Sequence, residues 1–265
     1  MNIPIYQVDA FTSEAFRGNP AVVVIMPEKK PDLWMQSVAK EMNLSETAFL
    51  LSDKEGFNLR WFTPKREVNL CGHATLASSH ILFEKGYLQK EMAAEFNTLS
   101  GWLKAKSMDG WIELNFPALS SKPITVTGQI ADALGFSPIE AYKTDVNLLV
   151  EIDNPDNVER YSPNFLKLAA LPFQGLILTA NGKRLGYDFV SRYFAPQAGI
   201  DEDPVTGSAH CSLAPYWASK LGKDEFLAYQ ASERGGILRV RLENDRVLLQ
   251  GQAVTIFSGS LEIQK

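Results

Sequence analysis

The chain has 265 residues, of which 45% are hydrophobic and 22% charged, and its formal net charge is −5. This composition is typical of a globular protein long enough for one large domain or two smaller ones, and an acidic balance without long charge runs does not indicate a nucleic-acid partner. No apolar stretch approaches the ~18 residues that a membrane span requires. Two cysteines without a signal peptide predict a cytoplasmic protein with no disulfide framework.

The first half of the chain predicts strands interrupted by two helices. The segment 32–42 has apolar residues spaced for one face of a helix, and a second helix, from about 73 to 86, ends at a glycine stop signal. Small residues occupy nearly every side of this second helix, which predicts that sheet surrounds it closely. Strands are predicted at 21–27, 46–52, 57–63, 102–107 and 111–116, the last two forming a hairpin.

The second half of the chain repeats the first. "RWFTP" returns as "RYFAP", and "LCGHATLASSHIL" aligns with "VTGSAHCSLAPYW". The alignment places Gly72 opposite Gly207 and Gly101 opposite Gly236, an offset of 135 residues in both cases. An offset shared by separate segments indicates two copies of one unit. The second copy is predicted to have strands at 175–180, 187–194, 237–242 and 246–250 around a helix from about 208 to 221.

We therefore expect an α+β fold of two pseudo-symmetric domains, residues 1–118 and 119–265, with a seam in the proline- and serine-containing segment 116–123. Each domain is expected to be a β-barrel-like sheet wrapped around a central helix, and the active site is expected in the interdomain cleft. Exposed sheet edges in such β-rich domains favour a homodimer.

The two predicted helix starts, at Gly72 and Gly207, have the chemistry of an anion site. The first N–H groups of a helix lack intrahelical acceptors and carry a partial positive charge, so they bind carboxylates or phosphates. A matched pair of such starts predicts a small anionic ligand, with Cys71, Gly72, Ala74, Thr206 and Gly207 as substrate-binding positions. The alternative is that each glycine only permits a tight turn between strand and helix.

Four side chains near these starts are candidates for catalysis. Glu46 leads an apolar strand whose counterpart is led by Gln174, so only one copy carries an acid/base group there; the alternative is a glutamate that meets solvent or an arginine. His73 is either a residue that orients substrate or relays a proton, or a hydrogen-bonded histidine at a helix start. Asp203 is either a ligand for a substrate hydroxyl or amine or a turn cap, and Ser208 is an N-cap, a ligand donor or both.

Three consecutive acidic residues, 201–203, come just before the second helix start. A helix N-terminus favours negative charge. We therefore expect Glu202 to be a surface or helix-start charge, whereas Asp203 is expected to take a donor group of the ligand.

Other chemistries are disfavoured by the residues present. Cys71 corresponds to Thr206, so the paired thiols of a two-thiol epimerase are not present, and Cys211 is expected to be a packed helical residue. Cys71, His73, His210 and Cys211 offer four nitrogen or sulfur ligands, but their spacings lack the usual zinc pattern. No glycine-rich phosphate motif and no G-x-S-x-G elbow occurs. We therefore expect neither a metal nor a nucleotide cofactor.

These motifs together resemble the phenazine-biosynthesis PhzF-like family, whose fold is similar to that of diaminopimelate epimerase. The resemblance runs through "FRGNPAVVV", "NLSETAF", "RWFTP" with "LCGHAT", and "DEDPVTGSAH". It implies that Glu46 transfers a proton beside His73, and that Asp203 and Ser208 hold the substrate and its carboxylate. The characterised family reaction moves a proton between carbons of a dihydro-hydroxyanthranilate without metal or organic cofactor. The related epimerase uses two cysteines, so Thr206 in place of the second disfavours amino-acid racemisation.

Three hypotheses for the function remain. The first is a cofactor-independent isomerase that moves a proton on a small carboxylic acid with Glu46 as the acid/base. The second is a racemase or epimerase of an amino or hydroxy acid with Cys71 as one base. The third, from another class, is a protein that binds a small carboxylate without turning it over. All three predict a small-molecule carboxylate partner, and neither a nucleic acid nor a membrane.

Overall fold

The computed structural model describes residues 2–262, which form an α+β fold of two compact units. Among the described residues, unit 1 comprises 2–115 and 250–262, and unit 2 comprises 116–249. The first ten elements are β1 (Asn2–Ala10), β2 (Asn19–Met26), α1 (Asp32–Met42), β3 (Glu46–Asp53), β4 (Gly56–Phe62), β5 (Glu67–Val68), α2 (Gly72–Glu84), β6 (Ala94–Thr98), β7 (Gly101–Met108) and β8 (Trp111–Pro117). The next are β9 (Lys122–Pro123), α3 (Gly128–Leu134), β10 (Glu140–Lys143), β11 (Asn147–Glu151), α4 (Pro155–Arg160), α5 (Phe165–Ala169), β12 (Gly175–Asn181), β13 (Phe189–Ala195), β14 (Ile200–Asp203), α6 (Gly207–Leu221), β15 (Glu225–Gln230), β16 (Gly236–Glu243), β17 (Arg246–Gly251) and β18 (Ala253–Glu262).

The strands of unit 1 form a mixed sheet in the order β18–β1–β2–β3–β4–β6–β7–β8, with β5 also beside β4. The pairs β2–β3 and β4–β6 are parallel, and the other pairs are antiparallel. Glu46 begins β3 and lies opposite Ala21 of β2, so it stands where a strand in the middle of the sheet begins. The sheet wraps around a helix without closing into a barrel.

The helix that this sheet surrounds is α2. It contacts β1, β2, β3, β7 and β18, and ten of its thirteen residues are buried. The hydroxyls of Thr75, Ser78 and Ser79 each donate to the carbonyl four residues earlier, at 2.6–2.8 Å, so these buried polar groups are satisfied within the helix. Small side chains let strands approach from several directions. The predicted helix enclosed by sheet is therefore confirmed.

Unit 2 has the same strand topology as unit 1. Its order is β9–β10–β11–β12–β13–β15–β16, with β14 beside β13, and the pairs β11–β12 and β13–β15 are parallel. Helix α6 continues past Pro215 to Leu221, and Trp217 Nε1 donates to Thr179 Oγ1 in β12 at 3.0 Å. The matching order of parallel and antiparallel pairs confirms the two pseudo-symmetric copies.

The two units differ from the predicted halves at their boundaries. β18 runs antiparallel along β1 from Asn2 opposite Glu262 to Ala10 opposite Ala253, so the chain returns to unit 1 after unit 2 is complete. The first boundary lies after Asn115, three residues before the predicted one. The expected active-site cleft between the domains stays a prediction. No helix among residues 2–262 is long and apolar enough to cross a membrane.

An apolar cluster between α1 and the sheet fixes the strand that carries Glu46. Met35 and Ala39 of α1 are fully buried against it, together with Val24 and Phe49. The rings of Phe49 and Phe62 meet edge to face with their centroids 5.5 Å apart, a favourable aromatic geometry. Close-packed interiors leave their side chains little freedom of position. The packing of this cluster therefore holds the start of β3 in place.

Candidate active site

Glu46 stands at the junction of a helix and a buried strand. Asn43 ends α1 in the left-handed conformation, with φ of 50°, and its N–H donates to the Ala39 carbonyl at 3.1 Å. Asparagine adopts this conformation more readily than most residues, which allows α1 to end here and the chain to turn into β3. The Glu46 side chain is 12% exposed, while the four residues after it are buried.

His73 lies in the first turn of α2. This helix begins at Gly72 with Cys71 as its N-cap residue, and the Cys71 side chain makes no capping hydrogen bond. The His73 ring is buried, and its Nε2 lies 3.2 Å from Glu46 Oε2. Its Nδ1 lies 3.1 Å from the side-chain amide nitrogen of Asn19, at the start of β2. The ring is therefore held at both nitrogens, one by a carboxylate and the other by an amide.

The neighbours of His73 favour the protonated form of its ring. Burial disfavours the charged imidazole, but the neighbouring Cys71 and Glu46 outweigh burial and raise the pKa of His73 well above its ordinary value. Burial, reinforced by the charge of Glu46, raises the pKa of Cys71 to about 11, so its thiol keeps its proton at neutral pH. The Glu46 carboxylate is therefore the negative charge that favours a proton on the ring.

The same three side chains were tested as a metal site. One ligand atom each from Glu46, Cys71 and His73 lies within 4.8 Å of the others. The Cys71 sulfur, however, is 3.6 Å from Nδ1 of His73 and 3.9 Å from Nε2. Being nearly equidistant from both nitrogens, the sulfur is not aligned with the in-plane lone pair of either one, whereas zinc needs thiolate and imidazole lone pairs that converge on one point. Metal ligation would require Cys71 to turn. The candidate set with His210 and Cys211 does not come together among residues 2–262, where the cluster found contains neither of them.

Unit 2 has a corresponding cluster at the start of α6. Thr206 is the N-cap residue, and its hydroxyl donates to Asp203 Oδ2 at 2.5 Å instead of capping the helix. Gln230, fully buried at the end of β15, accepts from the Thr206 N–H at 2.8 Å and donates to the Asp203 carbonyl at 2.7 Å. Gly207 is buried, and Ser208 is exposed at the second position of the helix. The structure thus holds Asp203 beside the first turn of α6.

Each predicted site residue has a definite place in one of the two units. Unit 1 brings together Glu46, Cys71 and His73, with Gly72 and the buried Ala74 in the same helical turn; unit 2 brings together Asp203, Thr206, Gly207 and Ser208. Sequence reasoning missed two side chains that hold these clusters. Asn19 lies within the quoted "FRGNPAVVV" motif, which was the signal that pointed to it, whereas no local pattern singles out Gln230.

The structural position of the acidic run and the role of Glu202 differ from the expected ones. Residues 201–203 lie in β14 and not at the start of α6, which begins at Gly207. Glu202 accepts two hydrogen bonds from the guanidinium of Arg192, at 2.6 and 2.8 Å. Unit 1 repeats this bidentate pair between Arg60 and Glu67, at 2.6 and 2.7 Å. Glu202 is therefore the half-buried partner of an arginine, in an ion pair that both units contain.

Comparison with known proteins identifies the family. The model of the phenazine biosynthesis-like proteins, PhzC-PhzF, matches residues 8–259. The chain belongs to this family. An uncharacterized isomerase of Halalkalibacterium halodurans is 51% identical over 98% of this chain and 99% of its own length. The crystal structure of a PhzF-family protein from Enterococcus faecalis covers 99% of this chain and 100% of its own, with a TM-score of 0.95 and 39% identity.

The PhzF fold also extends to epimerases. A hydroxyproline epimerase from Agrobacterium vitis covers 98% of this chain and 92% of its own, with a TM-score of 0.66 and 14% identity, a likeness of fold alone. The predicted PhzF family and its epimerase-like α+β fold are therefore confirmed. The predicted isomerase class agrees with the description of the Halalkalibacterium relative.

Proposed function

We propose that this PhzF-family protein is a cofactor-independent isomerase in which Glu46 moves a proton on a small carboxylic acid. The observation that carries the proposal is the contact of Glu46 with His73 at the first turn of α2, at 3.2 Å. A side chain that is 12% exposed is largely withdrawn from water but still reachable by a ligand. A general base needs such reach to the proton that it removes.

The hydrogen bond from His73 gives the two carboxylate oxygens of Glu46 different roles. Its Nε2–H donates to Oε2, which leaves Oε1 to approach the substrate. The carboxylate takes a proton from one carbon, the electrons of that C–H bond spread into the adjoining unsaturated system, and the protonated Glu46, whose proton can exchange with solvent, then delivers a proton to another carbon. No electron acceptor or leaving group is required. The partial positive charge at the start of α2 would stabilise the intermediate anion.

Asp203 and Ser208 are included in the proposal as substrate-holding residues. Thr206 supports this role because its hydroxyl donates to Asp203 and therefore does not cap the N–H groups at the start of α6. Anions bind readily at helix starts of this kind. Ser208, exposed in the first turn, would donate to a carboxylate there. Their contribution is to affinity, so Asp203→Asn and Ser208→Ala are expected to raise KM more than they lower kcat.

The pKa of Cys71 disfavours a racemase that uses this thiol as a base. A thiol whose pKa is about 11 is protonated at neutral pH and cannot accept a proton from carbon. Cys71→Ala is therefore expected to retain turnover. A large loss of rate in that variant, with binding intact, would favour the racemase.

Proton exchange with solvent tests the proposal. Small unsaturated and amino carboxylic acids are screened by NMR in deuterium oxide for deuterium uptake and for movement of a double bond. For a responsive acid, Glu46→Gln is expected to lower exchange by ~10²–10⁴-fold while binding persists, since amide and carboxylate share a shape. The matched control is Glu95→Gln, which removes an exposed carboxylate paired with Lys104 at 2.6 Å and should leave exchange unchanged. Full exchange in Glu46→Gln would refute the mechanism. Acids that bind with neither deuterium uptake nor movement of a double bond would indicate a binding protein.

A further inference from the structure

The backbone around Asn19 is shaped to bring this side chain into the interior. Gly18 has φ of +65°, and a Cβ there would lie 2.1 Å from the Ala10 carbonyl oxygen, so only glycine fits the turn. Asn19 follows directly, pairs with Ala10 across β1 and β2, and is fully buried. The fold thus sets a polar amide into the interior beside α2.

Asn19 reaches His73 on the side opposite Glu46. Its Nδ2 lies 3.1 Å from His73 Nδ1, while Nε2 of the same ring lies 3.2 Å from Glu46 Oε2. An amide nitrogen can only donate, so Nδ1 must accept. The proton of the neutral ring is then on Nε2, where it is directed at the carboxylate.

We propose that Asn19 is a positioning residue that holds the His73 ring so that an Nε2–H is always directed at Glu46. In the opposite neutral tautomer the lone pair of Nε2 would face the carboxylate of Glu46, and the two acceptors would repel. While the Asn19 amide keeps the observed orientation, with its NH2 group donating to Nδ1, that tautomer is excluded. This fixes the orientation of Glu46 through its hydrogen-bond partner His73, in the way that a hydrogen bond to one ring nitrogen orients functional histidines elsewhere.

The Asn19 amide can also form a hydrogen bond with the charged His73 ring. When His73 takes up a proton, rotating the Asn19 amide by half a turn presents Oδ1 to the new Nδ1–H, and Nε2–H still points at Glu46. The titratable groups that face the ring are Glu46 from β3 and Cys71 at the start of α2, while Asn19 of β2 carries no charge. An uncharged amide therefore accommodates both protonation states, which a carboxylate or an aliphatic side chain in its place would not.

Ring nitrogen-15 shifts of His73 test this inference directly. The chain has three histidines, so the protein labelled at histidine gives a countable set of ring signals, assigned with His73→Gln. We expect Nε2 of His73 to stay protonated on both sides of the titration of the ring, and Nδ1 to lose its proton when the ring becomes neutral. His210 provides an internal contrast, because its Nδ1 donates to the Thr206 carbonyl, which places its proton on the other nitrogen. A neutral His73 protonated at Nδ1 in the wild-type protein would overturn the proposal without any variant.

Two substitutions of Asn19 give opposite expectations. Asn19→Asp places a second carboxylate beside the ring, so the doubly protonated form of His73 should persist to higher pH than in the wild type. Asn19→Leu removes the donor at similar size, so the Nδ1–H tautomer should become populated. The matched control is Asn147→Leu, a buried asparagine of unit 2 that accepts from the Tyr193 hydroxyl at 3.1 Å. It should leave the His73 signals unchanged.

The effect on turnover rests on the proposed role of Glu46, but the effect on the ring does not. If Glu46 carries the proton, Asn19→Leu should lower kcat by roughly 10–100-fold with little change in KM. Unchanged His73 shifts and an unchanged titration in Asn19→Leu would refute the positioning role. If that variant does not fold, the tautomer of His73 in the wild type and the titration of His73 in Asn19→Asp still test the positioning role. Changed shifts with unchanged exchange in Glu46→Gln would refute the proposed function alone.

Discussion

Gln230 holds together the segment that carries Asp203, and its replacement by leucine should destabilise the fold. The amide is fully buried and makes three hydrogen bonds: from the Thr206 N–H at 2.8 Å, to the Asp203 carbonyl at 2.7 Å and to the Thr206 hydroxyl at 3.2 Å. A buried group that loses its partner costs ~1–3 kcal/mol. Thr206 is buried and Asp203 half-buried, so Gln230→Leu should lower the free energy of unfolding by about 2–4 kcal/mol, a large part of the usual ~5–15 kcal/mol.

Urea unfolding of the purified protein measures this change, and hydrogen exchange localises it. The Thr206 amide should exchange faster in Gln230→Leu, since its acceptor is gone, while amides of unit 1 keep their protection. Gln89→Leu replaces an exposed glutamine and is expected to change stability by no more than ~0.5 kcal/mol. A loss below ~1 kcal/mol in Gln230→Leu would show that the buried groups find other partners.

Three further predictions concern a glycine, a histidine and a thiol. A Cβ at Gly175 would lie 2.6 Å from the Tyr193 hydroxyl, so Gly175→Ala should lower stability by about 1–3 kcal/mol in urea unfolding. Burial lowers the pKa of His210 to about 4, so the unfolded ring takes up its proton at higher pH than the folded ring. The free energy of unfolding should therefore fall by ~3 kcal/mol from pH 6.5 to about 4, a fall that His210→Gln would lack. Cys71, with a pKa of about 11, should react with a disulfide reagent only after unfolding.

Each of these three has its own check. Gly128→Ala, where a Cβ meets open space at the start of α3, should hold or raise stability, and an equal loss there would remove the steric explanation. An unchanged pH dependence in His210→Gln would assign the acid sensitivity to other groups. Cys211, whose pKa is raised to about 12 by burial, should behave like the first thiol, so one rapidly reacting thiol in the native protein would contradict both assignments.

The repeat made most of the fold predictable from sequence. Both copies carry the same local patterns, so the strand order of one unit could be transferred to the other, and the small residues of α2 indicated its enclosure. Local patterns were weaker where a short element was involved. Residues 201–203 form part of a four-residue strand, and three acids before a helix favoured the wrong element. Glu202 is explained by Arg192, which lies ten residues away in sequence.

The site was predictable only as far as its residues lie in motifs. Glu46 and His73 were named from sequence, but their contact depends on how β3 and α2 pack. Asn19 is 54 residues from His73, and its hydrogen bond follows from the register of β2 beside β1. Gln230 is the last residue of an ordinary strand. No sequence spacing indicates its three hydrogen bonds to Asp203 and Thr206. Buried polar networks are set by tertiary structure, which is why sequence patterns miss them.

The pairing of β18 with β1 bears on the order in which the protein is made. A ribosome must synthesise all of unit 2 before β18 exists, so β1 emerges long before its neighbour on one side. During that interval β1 offers unpaired backbone groups, a template for unwanted association between nascent chains. Assembly of the first unit is thereby tied to completion of the second, and contacts between such distant segments form slowly.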